Sequence, residues 1–95
     1  MTITEVHITL RSDPRLRAFV TVCFDEAFVV HGIKVIAVEE GRLILAMPSR
    51  RRGNGSFQDL AHPITPDFRK TLEDRVFDEY TRLLRAGQYR PSRES

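Results

Sequence analysis

Val6, Ile8 and Leu10 alternate with His7 and Thr9, a period of two that predicts a half-buried β-strand over residues 3–11. A turn follows at Ser12-Asp13-Pro14-Arg15. The alternation then resumes with Leu16, Ala18, Val20, Val22 and Phe24 on one face and Arg17, Phe19, Thr21 and Cys23 on the other, closed by Asp25 and Glu26. Residues 27–38, AFVVHGIKVIAV, are rich in β-branched side chains and too apolar for a one-faced strand, so they read as a bent third strand with a bulge at Gly32. Glu40-Gly41 supplies a tight turn. Leu43 to Met47 are apolar on both sides and predict an interior strand ended by Pro48, and a short fifth strand fits Ser56 to Ala61.

The pattern then changes period. Phe68, Leu72, Val76, Tyr80 and Leu84 recur every four residues, and Phe77 and Leu83 widen the stripe, as on an amphipathic helix. Thr65 suits the N-cap, Pro66 the first helical position and Asp67 the positive helix end, while Ala86-Gly87 provides a stop. Helical spacing pairs Arg69 with Glu73, Lys70 with Asp74, Arg75 with Glu79 and Asp78 with Arg82. The fold class is therefore α+β: an antiparallel β-sheet of four to five strands followed by one C-terminal amphipathic helix. Residues 1–87 form a single domain, and 88–95 are a flexible polar tail. One helix covers one face of the sheet, yet strands three and four are apolar on both. A second copy is the simplest cover, which predicts a homodimer.

Composition narrows the function classes. With 95 residues, 41% of them hydrophobic and 29% charged, the chain has the make-up of one small globular domain with a thin core. No apolar run approaches the roughly 20 residues of a membrane span, and the start shows no basic and hydrophobic leader, so no membrane partner is expected. The lone Cys23 has no internal disulfide partner, which fits a cytoplasmic location. Net charge is only +2, but residues 1–49 hold five basic and six acidic side chains against ten and seven in residues 50–95. All the cations except Lys34 and Lys70 are arginine, whose planar fork fits phosphates.

The sharpest local feature is SRRRGNGS, where Arg50, Arg51 and Arg52 precede an Asn-Gly pair that favours a hairpin turn. On a slim protruding loop, three guanidiniums would bind a polyanion by releasing its counterions; the plainer reading is a solvated loop that aids solubility. Arg82 and Arg85 extend a basic surface near the end of the helix and are the secondary candidates. His7, His31 and His62 share no ligand spacing with one another or with Cys23, which gives a metal no support. His62 with Asp59, or Ser49 beside the arginines, are the only groups an enzyme could use, and no third group completes either. Phosphate-cradling, dinucleotide and nucleophile-elbow motifs are missing, so neither cofactor, small-molecule substrate nor catalysis is expected.

Four stretches carry a resemblance: FVVHGIKVI (28–36), AMPSRR (46–51), FQDLAHPI (57–64) and VFDEY (76–80). In this order and spacing, from about residue 3 to residue 85, the chain closely resembles the stage V sporulation protein G family, SpoVG. The resemblance implies a small bacterial cytoplasmic protein that forms homodimers, binds DNA and RNA, and acts as a regulator linked to septation and cell division, the envelope or developmental control such as sporulation. It places nucleic-acid contact on a basic pair that corresponds to Arg50 and Arg51, with Arg52 following, and sequence preference on the helix. Where the family commonly has Lys-Arg and a Thr-Pro-Asp-Gly type of turn, this chain has Arg-Arg-Arg-Gly-Asn-Gly, which changes the loop. The alternative is a protein-binding adaptor in cell-division regulation, in which the uncovered sheet engages another protein and the arginines serve solubility.

Overall fold

The computed structural model describes residues 1–86. The expected polar tail, residues 88–95, and the Gly87 of the helix stop lie outside the described residues. Strands β1 (Ile3–Leu10), β2 (Leu16–Phe24), β3 (Phe28–Ala37) and β4 (Leu43–Ala46) form an antiparallel sheet in the order β1-β2-β3-β4. A second, two-stranded sheet pairs β5 (Ser49–Arg51) with β6 (Phe57–Asp59), and α1 spans Pro66–Ala86. The arrangement is α+β, as the alternating and four-residue periods predict.

Local chemistry sets the turns. At the β1–β2 turn, Asp13 Oδ1 accepts from the backbone N–H of Arg15 at 2.7 Å and of Leu16 at 3.0 Å. Those two bonds hold its carboxyl below the usual aspartate value. At the helix start, Thr65 Oγ1 accepts from the Phe68 N–H at 3.1 Å, the capping bond its position predicts.

Directly opposed residues share a face, so the register separates the two sides of the sheet. One side presents Ile3, Val6, Ile8 and Leu10 of β1, Ala18, Val20, Val22 and Phe24 of β2, Val30, Ile33 and Val35 of β3, and Leu43 and Leu45 of β4. Onto it α1 lays Leu72, Val76 and Tyr80, all buried, with Phe68 tilted against Phe24 at a ring separation of 6.0 Å. This is the hydrophobic core. Leu84 does not join it and is 54% exposed. A four-residue step overshoots a full turn by about 40°, so by the fifth position the stripe has rotated off the sheet and Leu83 packs there instead.

The opposite side of the sheet carries Phe19, Ile36, Ile44 and, against the simple alternation expected of β2, Leu16, which a register shift between Leu16 and Ala18 sets opposite Ile36; none of the four belongs to the core cluster. Among the described residues no helix packs on that side, where Leu16, Ile36 and Ile44 are half-buried and Arg11 lies over the Phe19 ring at 5.5 Å. β4 is an edge strand rather than the interior strand its two-sided apolar pattern predicts, because the chain that follows turns away into the second sheet instead of pairing beside it.

The bulge expected in β3 lies where Val22 pairs with Val30 and Val20 with Ile33, leaving His31 and Gly32 opposite Thr21 alone. Gly32 has φ 88°, and a Cβ there would lie 3.4 Å from the Cβ of Pro48, the residue just before β5. The bend thus sets where the second sheet departs. Gly32→Ala is expected to lower stability by about 1–3 kcal/mol through backbone strain, read as a lower denaturant midpoint at constant slope.

Candidate nucleic-acid interface

Arg50 and Arg51 belong to a strand, not to the loop the sequence predicts. The expected fifth strand, Ser56 to Ala61, is real only over β6, and it pairs with β5 instead of joining the main sheet. The turn between them is Gly53-Asn54-Gly55: Arg52 N–H donates to Ser56 O at 2.7 Å and Gly55 N–H to Arg52 O at 3.0 Å. Gly55 takes the left-handed conformation, φ 90°, and Asn54 Oδ1 accepts from both the N–H and the hydroxyl of Ser56, at 3.0 and 2.7 Å. A three-residue turn of this kind, with glycine at its last position, preserves the twist of a hairpin.

Strand geometry splits the arginine cluster. Ser49 faces Asp59, Arg50 faces Gln58 and Arg51 faces Phe57. Successive side chains alternate, so Arg51 shares one face of the hairpin with Phe57, while Arg50 points to the other face with Gln58. Arg52 stands at the start of the turn. Every residue from Ser49 to Leu60 is exposed. Among the described residues, no carboxylate forms a salt bridge with any of the three arginines. The hairpin is therefore a projecting arm with positive charge on both faces and at its tip.

The helix candidates lie elsewhere. Arg82 donates to Glu79 through Nε at 3.0 Å and Nη2 at 2.7 Å, which replaces the predicted pairing with Asp78. This fork holds the Glu79 carboxyl below its usual value and raises Arg82 above its own. Arg75 does not reach Glu79 but donates from Nη1 to Ile3 O at 3.0 Å, tying α1 to β1. The expected pairs Arg69–Glu73, at 3.6 Å, and Lys70–Asp74, at 3.1 Å, are present. Arg85 is exposed on the last turn.

Arg82 borders a groove with Thr4, Glu5 and His7 of β1, whereas the hairpin leaves from the end of β4, at the opposite edge of the sheet. Phe68 at the start of α1 meets Phe24, and Tyr80 and Leu84 near its end border Leu10 and Arg11, so the end of α1 points away from the hairpin. Within one protomer the fold does not bring Arg82 and Arg85 to the arginine arm. A joint surface would require a second copy.

The remaining polar candidates have structural surroundings. His62 Nδ1 lies 3.0 Å from Pro63 O, in the turn leading to α1. His31 Nδ1 is 3.1 Å from Thr21 Oγ1, and His7, opposite Thr21, contacts Glu5 at 2.7 Å. Among the described residues no three His, Cys, Asp or Glu side chains are grouped to hold a metal ion, and no helix is long and apolar enough to cross a membrane. Ser49 is opposite Asp59.

Sequence reading singled out the arginines but passed over Phe57, which is 69% exposed beside Arg51. The signal was available: a hairpin centred on Asn54 places residues 51 and 57 opposite each other. A loop over 49–56 has no register, and only the β5–β6 pairing sets the two side chains together.

Comparison with known proteins accounts for the rest. A family model described as SpoVG matches residues 1–82, which includes the whole sheet, the arm and most of α1. A relative from Acholeplasma laidlawii, named "Putative septation protein SpoVG", is 48% identical over 87 residues, covering 90% of this chain and 92% of its own. Proteins of the same name from Alkaliphilus metalliredigens and Anaeromyxobacter dehalogenans are 47% and 41% identical, covering 84% and 98% of this chain and 82% and 91% of theirs. A match over residues 1–82, which span the core, the bulged β3 and the arginine hairpin, together with relatives 41–48% identical over most of their length, means that the chain belongs to the SpoVG family.

Proposed function

We propose that this chain is a nucleic-acid-binding regulator, of DNA and RNA, that works as a homodimer in the bacterial cytoplasm and takes part in septation, envelope or developmental control. The observation that carries this reading is the arm: Arg50, Arg51 and Arg52 project on an exposed hairpin without a carboxylate partner among the described residues. Unneutralised guanidiniums on a slim support suit a phosphate backbone, where each contact releases a counterion. The names of the relatives support the link to septation. Arg82 and Arg85 are auxiliary contacts, and Arg82 must trade its bond to Glu79 for a phosphate or base.

The second copy is proposed to lie on the side of the sheet away from α1, where Phe19 is exposed beside Arg11 and Lys34 and where Leu16, Ile36 and Ile44 are half-buried. Two arms on one rigid dimer act at high effective concentration along one backbone. The work proposed is binding, and neither Ser49, opposite Asp59, nor His62, 3.0 Å from Pro63 O, has a catalytic part in it.

The test is a titration of labelled duplex DNA and of RNA at several salt concentrations. Six phosphate contacts, three per copy, give log affinity against log salt a slope of about −5 on duplex DNA. A flat dependence, or no binding at low salt, would reject the reading. The same side of the sheet favours the adaptor as the second reading. Partners that survive nuclease treatment of a pulldown, together with no affinity of the purified chain for nucleic acid, would select it.

A further inference from the structure

We propose that the arm distinguishes single-stranded from duplex nucleic acid, because Phe57 stacks on an unpaired base while Arg51 holds the adjoining phosphate. This rests on the nucleic-acid reading above and names the form of ligand that its site takes. The two side chains are directly opposed in the β5–β6 register and so stand on the same face of the hairpin, with Cβ atoms about 5 Å apart. Phe57 is 69% exposed, and no ring contact holds it within the described protomer. A large aromatic surface left in water beside an unpaired guanidinium is an unfavourable arrangement for a free chain and a useful one for a strand whose bases are splayed out.

Duplex bases are already stacked on one another and offer no free face to the ring. Duplex binding through this arm thus uses the arginines alone, whereas a single strand uses the ring as well. Polarity along the face fits the same placement. Asp59 and Ser49 lie on it at the base of the hairpin, so the phosphate is directed toward the tip, where Arg51 and Arg52 stand. Arg50, on the reverse face with Gln58, contributes attraction without contacting the stacked base. Stacking reads the flat face that every base has, so RNA and DNA single strands are accommodated alike, with little preference for sequence.

The experiment compares a labelled oligopyrimidine, as RNA and as DNA, with the same strand annealed to its complement, using the full chain and its variants at several salt concentrations. Phe57→Ala is expected to weaken single-strand binding by about five- to a hundredfold while leaving duplex affinity and both salt slopes unchanged. Phe57→Leu, which keeps apolar bulk but has no ring, should behave like Phe57→Ala, and Phe57→Trp should bind as the natural chain does. Arg51→Ala should instead make the single-strand slope shallower by about 0.7 per arm. Equal losses on both forms, or full affinity in Phe57→Leu, would overturn the proposal. So would a change of oligomeric state in light scattering on Phe57→Ala, which would assign the ring to a contact between copies. Should the natural chain bind neither form, the nucleic-acid reading itself fails; should it bind duplex and single strand with no effect of Phe57, only the stacking role fails.

Discussion

Replacing Arg50, Arg51 and Arg52 together by Ala is expected to reduce affinity for duplex DNA on the order of a hundredfold or more at low salt, and to bring the salt slope from about −5 toward zero. The change in slope matters more than the loss of affinity. A variant that merely misplaced the arm would keep its charges and hence much of its slope, whereas removing the cations removes the counterion release itself. Stability should barely move, because all three side chains are exposed and pack against nothing in the core. The readout is fluorescence anisotropy across a salt series, with thermal unfolding as the control. Arg82 and Arg85 provide the contrast: their replacement should change the slope less, since Arg82 already spends its charge on Glu79.

Ile44→Asp is expected to produce a folded monomer. Ile44 sits on β4 opposite Ile36, on the side of the sheet away from α1, and takes no part in the core. A carboxylate at that point would have to be stripped of water in a contact between two such faces, at a cost of several kcal/mol that would split the proposed dimer. In a single chain position 44 is only half-buried, so the carboxylate would still reach water. Light scattering should then give the mass of one chain, and the duplex salt slope should fall to about −2.7, that of three arginines instead of six. Its neighbour supplies the control. Leu45 is buried against the core, so Leu45→Asp should unfold the chain rather than dissociate it.

The parts of this architecture legible in the sequence are those governed by period. Alternation marked β1 and the faces of β2 from Ala18 onward, and the polar chemistry of Thr65 and Pro66 marked the start of α1, because each of these signals is local, whereas the register shift that turns Leu16 to the other side is not. Gly32, a local signal too, announced its bulge. Less visible was anything that depends on which strands become neighbours. Leu43 to Met47 look like an interior strand because hydropathy reports burial of side chains and says nothing about the edge hydrogen bonds, so the edge position of β4 was hidden.

The candidate site divides in the same way. Three consecutive arginines are conspicuous, but their partition onto two faces follows only from the pairing of β5 with β6 about Asn54. Arg82 illustrates the opposite limit. Asp78 and Glu79 lie four and three residues before it, both within helical reach, and side-chain geometry chose the nearer acid.

Whether the Ser49–Asp59 arm receives the polyanion is read most directly from backbone amide resonances of the isotope-labelled chain as an oligonucleotide is added. The largest shifts should fall on residues 50–57, at both hairpin faces and the turn, and fade when salt is raised. Shifts confined to β1 and the end of α1, with the arm unmoved at saturation, would contradict that role of the arm.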